Sequence, residues 1–458
     1  MRETQHHGIG TTIRSSTQFS RRWHSAIIAT FAVCVIAPTS ANDWPSWRGP
    51  DGTRTSDTTL PIEWSTDRNI KWITQLPGLG VSSPIVTNDQ VIVTAQSGFA
   101  PLAKRTHPTL VRGADPNESP LTVEQRNNDT PVSFIVTAYS SATGILLWEH
   151  SFAAIGPLQP VHNRHNLASP SPVSDERYIY AVFGTGQVIA LDLKGNVVWT
   201  RHLQKDYGGF DIIWGHSSSP ALYNGLLFVL CDHPSRSYLI ALDATTGEER
   251  WKADRGSGRR SYSTPIVFSG PSGPELVVNS NERIDAYRPT TGELLWHAGE
   301  SNQFPVPVPT YANGSIYTNR GHRSGPYMKI RLGGRGDVSN THIDWRISTG
   351  APYVSSILYY DGLIYMATGS GIVTCIDSQT GERVWRERFG GSYTASSMAS
   401  GGKVYLFDET GQTIVLAAGR EPTILAQNNL NVRTIASPAA SNGNIFIRSD
   451  QQLIAVGQ

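Results

Sequence analysis

The segment ALDATTGEERW, residues 241–251, decides the fold of this 458-residue chain because its pattern recurs along the sequence. The pattern Ala-x-Asp-x-x-Thr-Gly-x-x-x-Trp returns as CIDSQTGERVW at 375–385. Looser copies also end at tryptophans, and they are AYSSATGILLW (138–148), ALDLKGNVVW (190–199), AYRPTTGELLW (286–296) and a divergent copy that ends at Trp345. Recurrence of one short segment at a regular spacing indicates an architecture of repeated units.

A second repeated segment lies upstream of these copies and consists of small polar residues, often with proline, followed by an apolar strand. Its eight copies are SSPIV (82–86), SPSPV (169–173), SSPAL (218–222), STPIV (263–267), VPVPT (306–310), SSILY (355–359), SSMAS (396–400) and ASPAA (436–440). Apolar runs between the two segments, such as GLLFVL at 225–230, predict further strands. Each unit is therefore predicted to be a four-stranded antiparallel blade, and the chain an all-β, eight-bladed β-propeller.

The two ends of the chain predict that the ring of blades is closed. The eighth unit, residues 433–458, ends after its third strand, and NIKWITQL at 69–76 supplies the missing tryptophan-bearing strand. The propeller is thus predicted to span 69–458, and its closure leaves no open sheet edge. Without an insert at 99–131, each unit has about 44 residues, within the roughly 40–50 of propeller repeats.

The repeated residues predict structural roles. Alanine leaves room where blades converge, and glycine allows the positive φ of a tight turn. Tryptophan on the outer strand presents a flat face to the neighbouring blade and has an N–H to donate. Seven units have this tryptophan, and Leu425 is predicted to take its place in the remaining one.

Residues 1–41 have the layout of a secretory signal peptide. Basic residues precede the apolar run Ala26–Ala37, and small residues follow it, so cleavage is predicted after Ala41. The run is much shorter than the about 20 residues of a membrane span. The mature chain is expected to be exported, periplasmic or extracellular, without an integral membrane span, and Sec and twin-arginine export both stay open. Residues 42–68 are expected to form an extended N-terminal segment.

The charge balance excludes nucleic-acid binding that is driven by bulk charge. The chain has 38 Lys+Arg against 37 Asp+Glu, and its formal net charge is +1. Of its three cysteines, Cys34 lies in the leader, and Cys231 and Cys375 fall in different blades, too far apart to form a disulfide. Cys375 occupies the alanine position of its repeat, which predicts a role in core packing.

The repeat resembles the tryptophan-docking repeat of the PQQ-like, or quinoprotein alcohol dehydrogenase-like, eight-bladed β-propellers. The resemblance covers about residues 70–458, and DWPSWRGPDGTRTS at 43–56 with LPIEWS at 60–65 resembles the opening of an exported bacterial subgroup. The family contains enzymes that hold pyrroloquinoline quinone (PQQ) and a calcium ion in the central funnel. It also contains non-enzymes such as BamB, the propeller lipoprotein of outer-membrane β-barrel assembly.

The resemblance leaves two functions open. The enzymes typically place two adjacent cysteines against the quinone, and this sequence has neither such a pair nor a cytochrome segment Cys-x-x-Cys-His. The favoured hypothesis is an exported, non-enzymatic binding or scaffold protein of the cell envelope, without a cofactor and with a protein or envelope glycan as partner. The alternative is a PQQ-dependent oxidoreductase whose site, with PQQ and calcium, lies in the funnel.

The loops that lead into the innermost strands of a propeller line one mouth of its channel. Here these loops hold more cationic and aromatic groups than turns require, which predicts a pocket for an anionic or sugar-like ligand. The alternative is that these groups satisfy one another around the channel. The candidate ligand-binding residues are His165, Asn166, Trp214, His216, Arg259, Arg260, Tyr262, Tyr353, Tyr393 and Arg433.

Arg260, His216 and Trp214 are expected to converge near the axis. No catalytic residue and no metal site is assigned, because loop histidines at the His-x-x-His spacing of His162 and His165 are common by chance. The insert at 99–131 is polar and non-periodic, which predicts a functional or disordered loop of the first blade.

Overall fold

The fold is described by a computed structural model that covers residues 43–101 and 131–458. These residues belong to one compact unit. The predicted signal peptide and most of the predicted insert at 99–131 lie outside the described residues. Within the described ranges, no helix is both long enough and apolar enough to cross a membrane.

Eight sheets form the blades, and each contains four antiparallel strands that are paired in sequence order, except in blade 8, whose outer strand comes from the N-terminal part of the chain. Two strands precede the first complete blade, β1 (Thr55–Ser56) and β2 (Ile70–Gln75). Blades 1 to 4 comprise β3 (Ile85–Thr87), β4 (Gln90–Ser97), β5 (Ser133–Ser140) and β6 (Leu146–Ala153); β7 (Val173–Ser174), β8 (Tyr178–Val182), β9 (Gln187–Asp192) and β10 (Val197–His202); β11 (Ala221–Tyr223), β12 (Leu226–Asp232), β13 (Ser237–Asp243) and β14 (Glu249–Gly256); β15 (Ile266–Gly270), β16 (Gly273–Asn279), β17 (Ile284–Tyr287) and β18 (Leu294–Ala298).

The second half of the ring repeats this plan. Blades 5 to 8 comprise β19 (Thr310–Ala312), β20 (Ser315–Asn319), β21 (Tyr327–Arg331) and β23 (Ile343–Ile347); β24 (Leu358–Tyr360), β25 (Leu363–Ala367), β26 (Ile372–Asp377) and β27 (Arg383–Arg388); β28 (Met398–Ser400), β29 (Lys403–Phe407), β30 (Gln412–Ala417) and β31 (Ile424–Asn429); β32 (Ala439–Ser441), β33 (Asn444–Arg448) and β34 (Gln452–Val456). Additional elements are β22 (Gly336–Asp337) and the short helix α1 (Leu203–Tyr207). The predicted all-β, eight-bladed propeller is confirmed.

Blade 8 is completed by the N-terminal strand, as predicted. Strand β2 pairs antiparallel with β34, and Trp72 lies opposite Ala455. Two blades carry a fifth strand that pairs in parallel: β1 extends blade 7 at its inner strand β28, and β22 extends blade 4 at its outer strand β18. The outer edge of a blade therefore accepts a further strand in this fold.

The apolar core is divided among the seams between blades. One cluster joins blades 1 and 2 around Phe134 and Phe183, whose rings stack with centroids 4.2 Å apart. Further clusters occupy the other seams, and the one with Trp72 and Phe446 joins blade 8 to its neighbours. Because each blade is a single sheet, it buries its faces only by packing against the next blade.

In five blades, an alanine and the repeat tryptophan lie opposite each other. Trp148 pairs with Ala138 and Trp251 with Ala241 across the ladder, and Cys375 takes the alanine position opposite Trp385. Directly opposed residues project on the same face, so the small side chain leaves room for the indole. The buried Cys231 and Cys375 are free thiols, as predicted.

Six of the seven repeat tryptophans also bind the next blade. Their indole Nε1 donates to backbone carbonyls of Ser141 (from Trp72, 3.0 Å), Leu193 (Trp148, 2.9 Å), Ala244 (Trp199, 2.9 Å), Pro289 (Trp251, 2.9 Å), Ser378 (Trp345, 3.1 Å) and Gly419 (Trp385, 3.2 Å). Five of these indoles lie against a turn glycine with φ between 71° and 83°: Gly144, Gly195, Gly247, Gly292 and Gly381. A Cβ there would come within 2.8 Å of the ring, so both the turn and the contact require glycine.

The prediction for the eighth tryptophan position was wrong by one residue. In blade 7, Ala426 lies opposite Val415 in the register that tryptophan occupies elsewhere, and Leu425 is 43% exposed. The same bulge is found at this place in the other blades, but the turn here is one residue longer: Leu416 pairs with Ile424, whereas Ile376 pairs with Arg383 in blade 6. Counting from the turn therefore misplaces the residue, because a shift of one position moves a side chain to the other face.

Serine and threonine hydroxyls join the inner strands into a ring around the axis. At six of the eight seams, a backbone N–H of one blade donates to a hydroxyl of the next: Ser83 to Ser171 (2.8 Å), Ser171 to Ser219 (2.9 Å), Ser219 to Thr264 (3.2 Å), Val308 to Ser356 (2.9 Å), Ser356 to Ser396 (3.0 Å) and Ser396 to Ser437 (2.9 Å). The recurring small polar residues are thus the links between blades.

A buried arginine joins the blades at each of the other two seams. Arg448 of blade 8 donates to the carbonyl of Thr94 in blade 1 at 2.7 Å. Arg320 of blade 5 donates to the carbonyl of Ser280 in blade 4 at 2.6 Å. Both side chains are fully buried, and their guanidinium groups donate charge-assisted bonds across the two seams where no backbone N–H reaches a hydroxyl of the next blade among the described residues.

The seam between blades 4 and 5 has a further link. Here Trp296 Nε1 donates to Oε2 of Glu275 within blade 4 at 2.6 Å, and Oε1 of Glu275 accepts the N–H of Gly333 from blade 5 at 2.8 Å. Burial raises the pKa of Glu275. One carboxylate therefore replaces the carbonyl that the other indoles use.

Substitution Trp72→Ala tests the closure of the ring. We expect it to lower the free energy of unfolding by about 3–5 kcal/mol, because it removes a buried indole and a bond between blades 8 and 1. The measurement is denaturant unfolding followed by circular dichroism. Leu425→Ala is the control and should change the free energy by less than about 0.5 kcal/mol, since its side chain is exposed. Equal stabilities of the two variants would contradict the closure argument.

Substitution Glu275→Ala tests the link between blades 4 and 5. It leaves Trp296 Nε1 and the N–H of Gly333 without their acceptor, and each loss is expected to cost about 1–3 kcal/mol. The melting temperature should fall clearly below that of the exposed control Glu248→Ala. A melting temperature shared by both variants would show that water or another group replaces the carboxylate.

Candidate functional site

A cavity of about 230 Å³ lies on the axis, and every blade contributes to its wall. Its lining consists of Trp47, Val81, Ser83, His162, Arg164, His165, Ser169, Trp214, Ser217, Ser219, Tyr262, Thr264, Val306, Val308, Tyr353, Val354, Ser356, Thr394, Ser396, Ile435, Ala436 and Ser437. Aromatic rings come from the loops into blades 3, 4 and 6, whereas Arg164 and two histidines come from the loop into blade 2. The cavity therefore has an aromatic side and a polar side.

The N-terminal segment closes one end of the channel. Pro45 accepts the N–H of Ser174 in blade 2 at 2.9 Å, and Trp44 forms a β-bridge with Val86 in blade 1. Arg54, which is fully buried, donates to carbonyls of blades 7 and 8, Ser397 at 3.0 Å and Pro438 at 2.8 Å. Since Trp47 of this segment lines the cavity, the segment forms its floor. Sequence reasoning missed this role, although the dense Trp and Arg content of 43–56 was a signal for it.

An ion pair lies at the polar side of the cavity. Arg164, from the loop into blade 2, contacts Glu409 of blade 7 at 2.5 Å. Glu409 also accepts hydroxyl bonds from Ser392 (2.9 Å) and Thr394. Both charged side chains are largely buried, with exposures of 12% and 7%. The pair therefore leaves this side polar but electrically neutral.

Four of the candidate residues line the axial cavity: His165, Trp214, Tyr262 and Tyr353. Trp214 has φ 77°, and its ring packs against Phe304 with centroids 4.7 Å apart. The hydroxyl of Tyr262 donates to the carbonyl of Ile213 at 3.1 Å. Burial lowers the pKa of His165, so this imidazole is neutral at pH 7. Ligand binding by these four residues stays a prediction.

Three candidates lie at the rim of the channel or in a smaller side cavity. Asn166 and Arg433 line the side cavity of about 60 Å³ beside blade 1. Asn166 donates to the carbonyl of Leu79 at 3.0 Å, and Arg433 pairs with Asp450 at 3.1 Å. Arg260 is exposed, and its guanidinium lies over the Phe304 ring, 5.8 Å from the centroid.

The structure places the other three candidates inside the blades rather than at the cavity. His216 is buried, and its Nδ1 lies 3.3 Å from Nε2 of His233. Tyr393 packs in the apolar cluster of blades 6 and 7. The expected convergence of Arg260, His216 and Trp214 is therefore not found. Trp214 reaches the cavity at a turn of positive φ, whereas His216, two residues later, lies beside His233 inside blade 3.

Arg259 belongs to a buried charge network between blades 3 and 4. Arg255 forms two bonds to Asp232, of 2.6 and 2.9 Å, and a third to Asp285 at 3.0 Å. Arg259 donates to the same oxygen of Asp285 at 2.9 Å. Burial alone would raise the pKa of Asp285, but the charges of Arg255, Arg259 and Arg283 hold it below its ordinary value. These charges stabilise a seam and do not face the cavity.

Within the described part of the chain, no group of three or more His, Cys, Asp or Glu side chains is arranged to hold a metal ion. His162 and His165 line the axial cavity, but His216 lies with His233 inside blade 3. The two loop histidines therefore have no third histidine beside them among the described residues that line the cavity.

Comparison with known proteins identifies relatives of two kinds. A family model described as outer membrane protein assembly factor BamB matches residues 133–317 and 337–458. The chain is 26% identical over 292 residues to a tetrathionate hydrolase of Acidithiobacillus ferrooxidans, and the aligned stretch covers 59% of this chain and 53% of that protein. It is 20% identical over 318 residues to BamB of Yersinia pestis, and the aligned stretch covers 68% of this chain and 66% of that protein. The chain thus spans between half and two thirds of the length of these relatives.

Solved structures show the same fold. BamB of Moraxella catarrhalis superposes with a TM-score of 0.56 at 14% identity, over 84% of this chain and 98% of that one. A quinohemoprotein alcohol dehydrogenase of Comamonas testosteroni superposes with a TM-score of 0.60 at 12% identity, over 91% and 81%. The propeller architecture is thus common to BamB and to a quinohemoprotein alcohol dehydrogenase.

The buried pair His216 and His233 predicts a loss of stability at mildly acidic pH. Burial, reinforced for His216 by the second imidazole, lowers both pKa values to about 3. Above pH ~6.5, the ordinary histidine pKa, both rings are neutral in the folded and in the unfolded chain, so their contribution to the free energy of unfolding is fully present. As the pH falls from ~6.5 towards ~3, the unfolded chain binds protons that the folded chain does not, and stability decreases by about 2 kcal/mol per histidine at pH ~5.

The test compares urea unfolding near neutral pH and near pH 5 in the natural chain and in a His216→Leu/His233→Leu double variant. The double variant should lose much of this pH dependence, whereas His342→Leu, on the outside of blade 5, should retain it. A natural chain of equal stability at both pH values would contradict the assignment of two neutral buried histidines.

Proposed function

Since the chain belongs to the family described as outer membrane protein assembly factor BamB, we propose that it is an exported, non-enzymatic scaffold of the cell envelope that binds a protein partner. The partner class follows from the printed name of the relatives, a component or client of outer-membrane protein assembly. The observation that carries the proposal is a row of exposed apolar residues on consecutive outer strands. We call this row the apolar rim: Ile73, Leu146, Leu147, Val197, Val198, Ile424 and Leu425.

The apolar rim occupies only part of the ring. Its residues lie on the outer strands of blades 7, 8, 1 and 2, and Leu147 is 49% exposed. The corresponding outer strand of blade 3 begins with the charged pair Glu249–Arg250, also exposed. Water-exposed apolar side chains that recur on neighbouring elements are typical of a docking surface for another protein.

The outer strands also offer backbone groups to a partner. Strand β22 already pairs in parallel with the outer strand of blade 4, where Trp296 lies opposite Gly336. A partner strand added to an outer edge in blade 1 or 2 would form the same kind of ladder, with its side chains against the apolar rim. Proteins rich in β-strands, such as outer-membrane proteins, suit this mode of binding.

The cavity supports a scaffold rather than an oxidoreductase that uses PQQ and calcium. Calcium takes carboxylate, amide and carbonyl oxygens as ligands, and none of the described side chains that line the axial cavity is Asp, Glu, Asn or Gln. PQQ has three fused rings and three carboxylates, whereas the cavity of about 230 Å³ lies below the ~300–1,000 Å³ of pockets for molecules of that size. The lining residues therefore do not fit the cofactor.

The test is a Leu147→Glu/Val198→Glu double variant, in which both residues directly precede a repeat tryptophan. Charges on the apolar rim should reduce the co-purification of outer-membrane proteins or their assembly components at least tenfold, a change of about 1.4 kcal/mol. Arg250→Glu is the matched control, because it precedes Trp251 in blade 3, and it should bind as the natural chain does. Circular dichroism checks that all variants fold.

Equal binding by the double variant and the natural chain would refute docking at the apolar rim. The same preparation, supplied with PQQ and calcium, is assayed for dye-linked dehydrogenase activity. Activity that depends on both additions would favour the oxidoreductase in place of the scaffold.

A further inference from the structure

We propose that the axial cavity binds one uncharged pyranose ring, either a free sugar or the end unit of a glycan. The site lies on the axis and does not include the apolar rim. Binding of a sugar and docking of a protein are thus separate properties of the chain, and each can fail without the other.

One side of the cavity is built from aromatic rings. Trp214 and Tyr262 lie next to each other, with ring centroids 6.3 Å apart and planes inclined by 33°, and Tyr353 continues this wall. The face of an aromatic ring is electron-rich and attracts positively polarised C–H groups. A pyranose presents such C–H groups on the faces of its ring, so it has a complementary surface for this wall.

Hydroxyl groups encircle the same space. Ser219, Ser356 and Ser396 line the cavity, and each hydroxyl oxygen accepts a backbone N–H from the preceding blade. These bonds hold the oxygen atoms in place, while each serine keeps its own O–H and a second lone pair. A ring of groups that both donate and accept suits a ligand with several hydroxyls around its edge.

The charges at the cavity favour an uncharged ligand. Arg164 is the only Lys or Arg among the described lining residues, and its charge is balanced by Glu409 at 2.5 Å. No Asp or Glu is among these lining residues. His165 is neutral for the reason given above. An anion would have to displace Glu409 from Arg164, and a cation would find no free carboxylate.

The size and closure of the cavity restrict the ligand to a single ring. Its volume of about 230 Å³ is below the ~300–1,000 Å³ that hold drug-sized molecules. Trp47 lies at the floor, where the N-terminal segment crosses the channel. A glycan could therefore enter only by its end unit, with the rest of the chain outside the mouth.

The test is isothermal titration calorimetry of the purified chain with methyl glycosides of glucose, galactose, mannose and N-acetylglucosamine. At least one should bind saturably, with a dissociation constant of about 1 mM or below, as expected of so small a ligand. Glucuronic acid should bind at least tenfold more weakly than the neutral glucoside. An oligosaccharide of the preferred sugar separates the two sources, because stronger binding than the monosaccharide indicates a glycan end.

Two variants locate the binding. Tyr353→Ala should weaken it at least tenfold, whereas Tyr360→Ala, in the same blade but outside the cavity, should leave it unchanged. Glu409→Gln removes the charge that balances Arg164 and should shift the preference towards glucuronic acid, a gain of function that an unfolded protein cannot show.

The proposal is overturned if the folded chain binds none of the glycosides, or if Glu409→Gln leaves the selectivity between neutral and acidic sugar unchanged. Sugar binding without protein docking would be a failure of the scaffold function alone. Protein docking by a chain that binds none of the glycosides would be a failure of this proposal alone.

Discussion

The structure depends on one constraint: every inner strand must join its neighbour across a seam where the backbone is buried. A buried N–H without an acceptor costs about 1–3 kcal/mol, and a ring of eight blades has eight such places. Serine and threonine meet this need at six seams, as between Ser83 and Ser171. At the other two seams, where no such hydroxyl bond is formed between the described residues, Arg320 and Arg448 instead donate to buried backbone carbonyls of the adjacent blade, which also need a partner. The recurring small polar residues are therefore required by closure.

The same constraint explains how much of the fold can be predicted from sequence. Each of the eight units packs against its neighbours in the same way, so its glycine, alanine and tryptophan recur in the sequence and indicate the blades. The partner of Trp72 at the other end of the chain follows from counting strands. The register of Ala426 does not, because the turn before it is one residue longer than the corresponding turn of blade 6. The floor made by Trp47 is also hard to predict, since that segment occurs once and its dense Trp and Arg content does not indicate where in the ring it lies.

The candidate site is predictable to the level of loops but not of side chains. The loops into blades 2, 3, 4 and 6 do reach the cavity, as propeller geometry demands. Which residue of a loop faces the axis depends on contacts that are remote in sequence. Arg259 turns inward because Asp285, on a strand of the next blade, is buried and needs a cation. Trp214 reaches the cavity through a positive φ that its sequence neighbours do not predict for so large a side chain.

Pairing of charges inside the ring also determines what the axis can recognise. Asp232 and Asp285 are taken up by Arg255 and Arg259, and Glu409 is taken up by Arg164. Few unpaired charges are then left to generate a field along the channel, and long-range attraction of ions becomes weak. Selection at the cavity must therefore come from contact: the flat faces of the aromatic side, the fixed hydroxyl oxygens and the limited volume. The exposed apolar side chains of the outer strands escape this restriction, because they do not pack into a seam and are free to contact a partner.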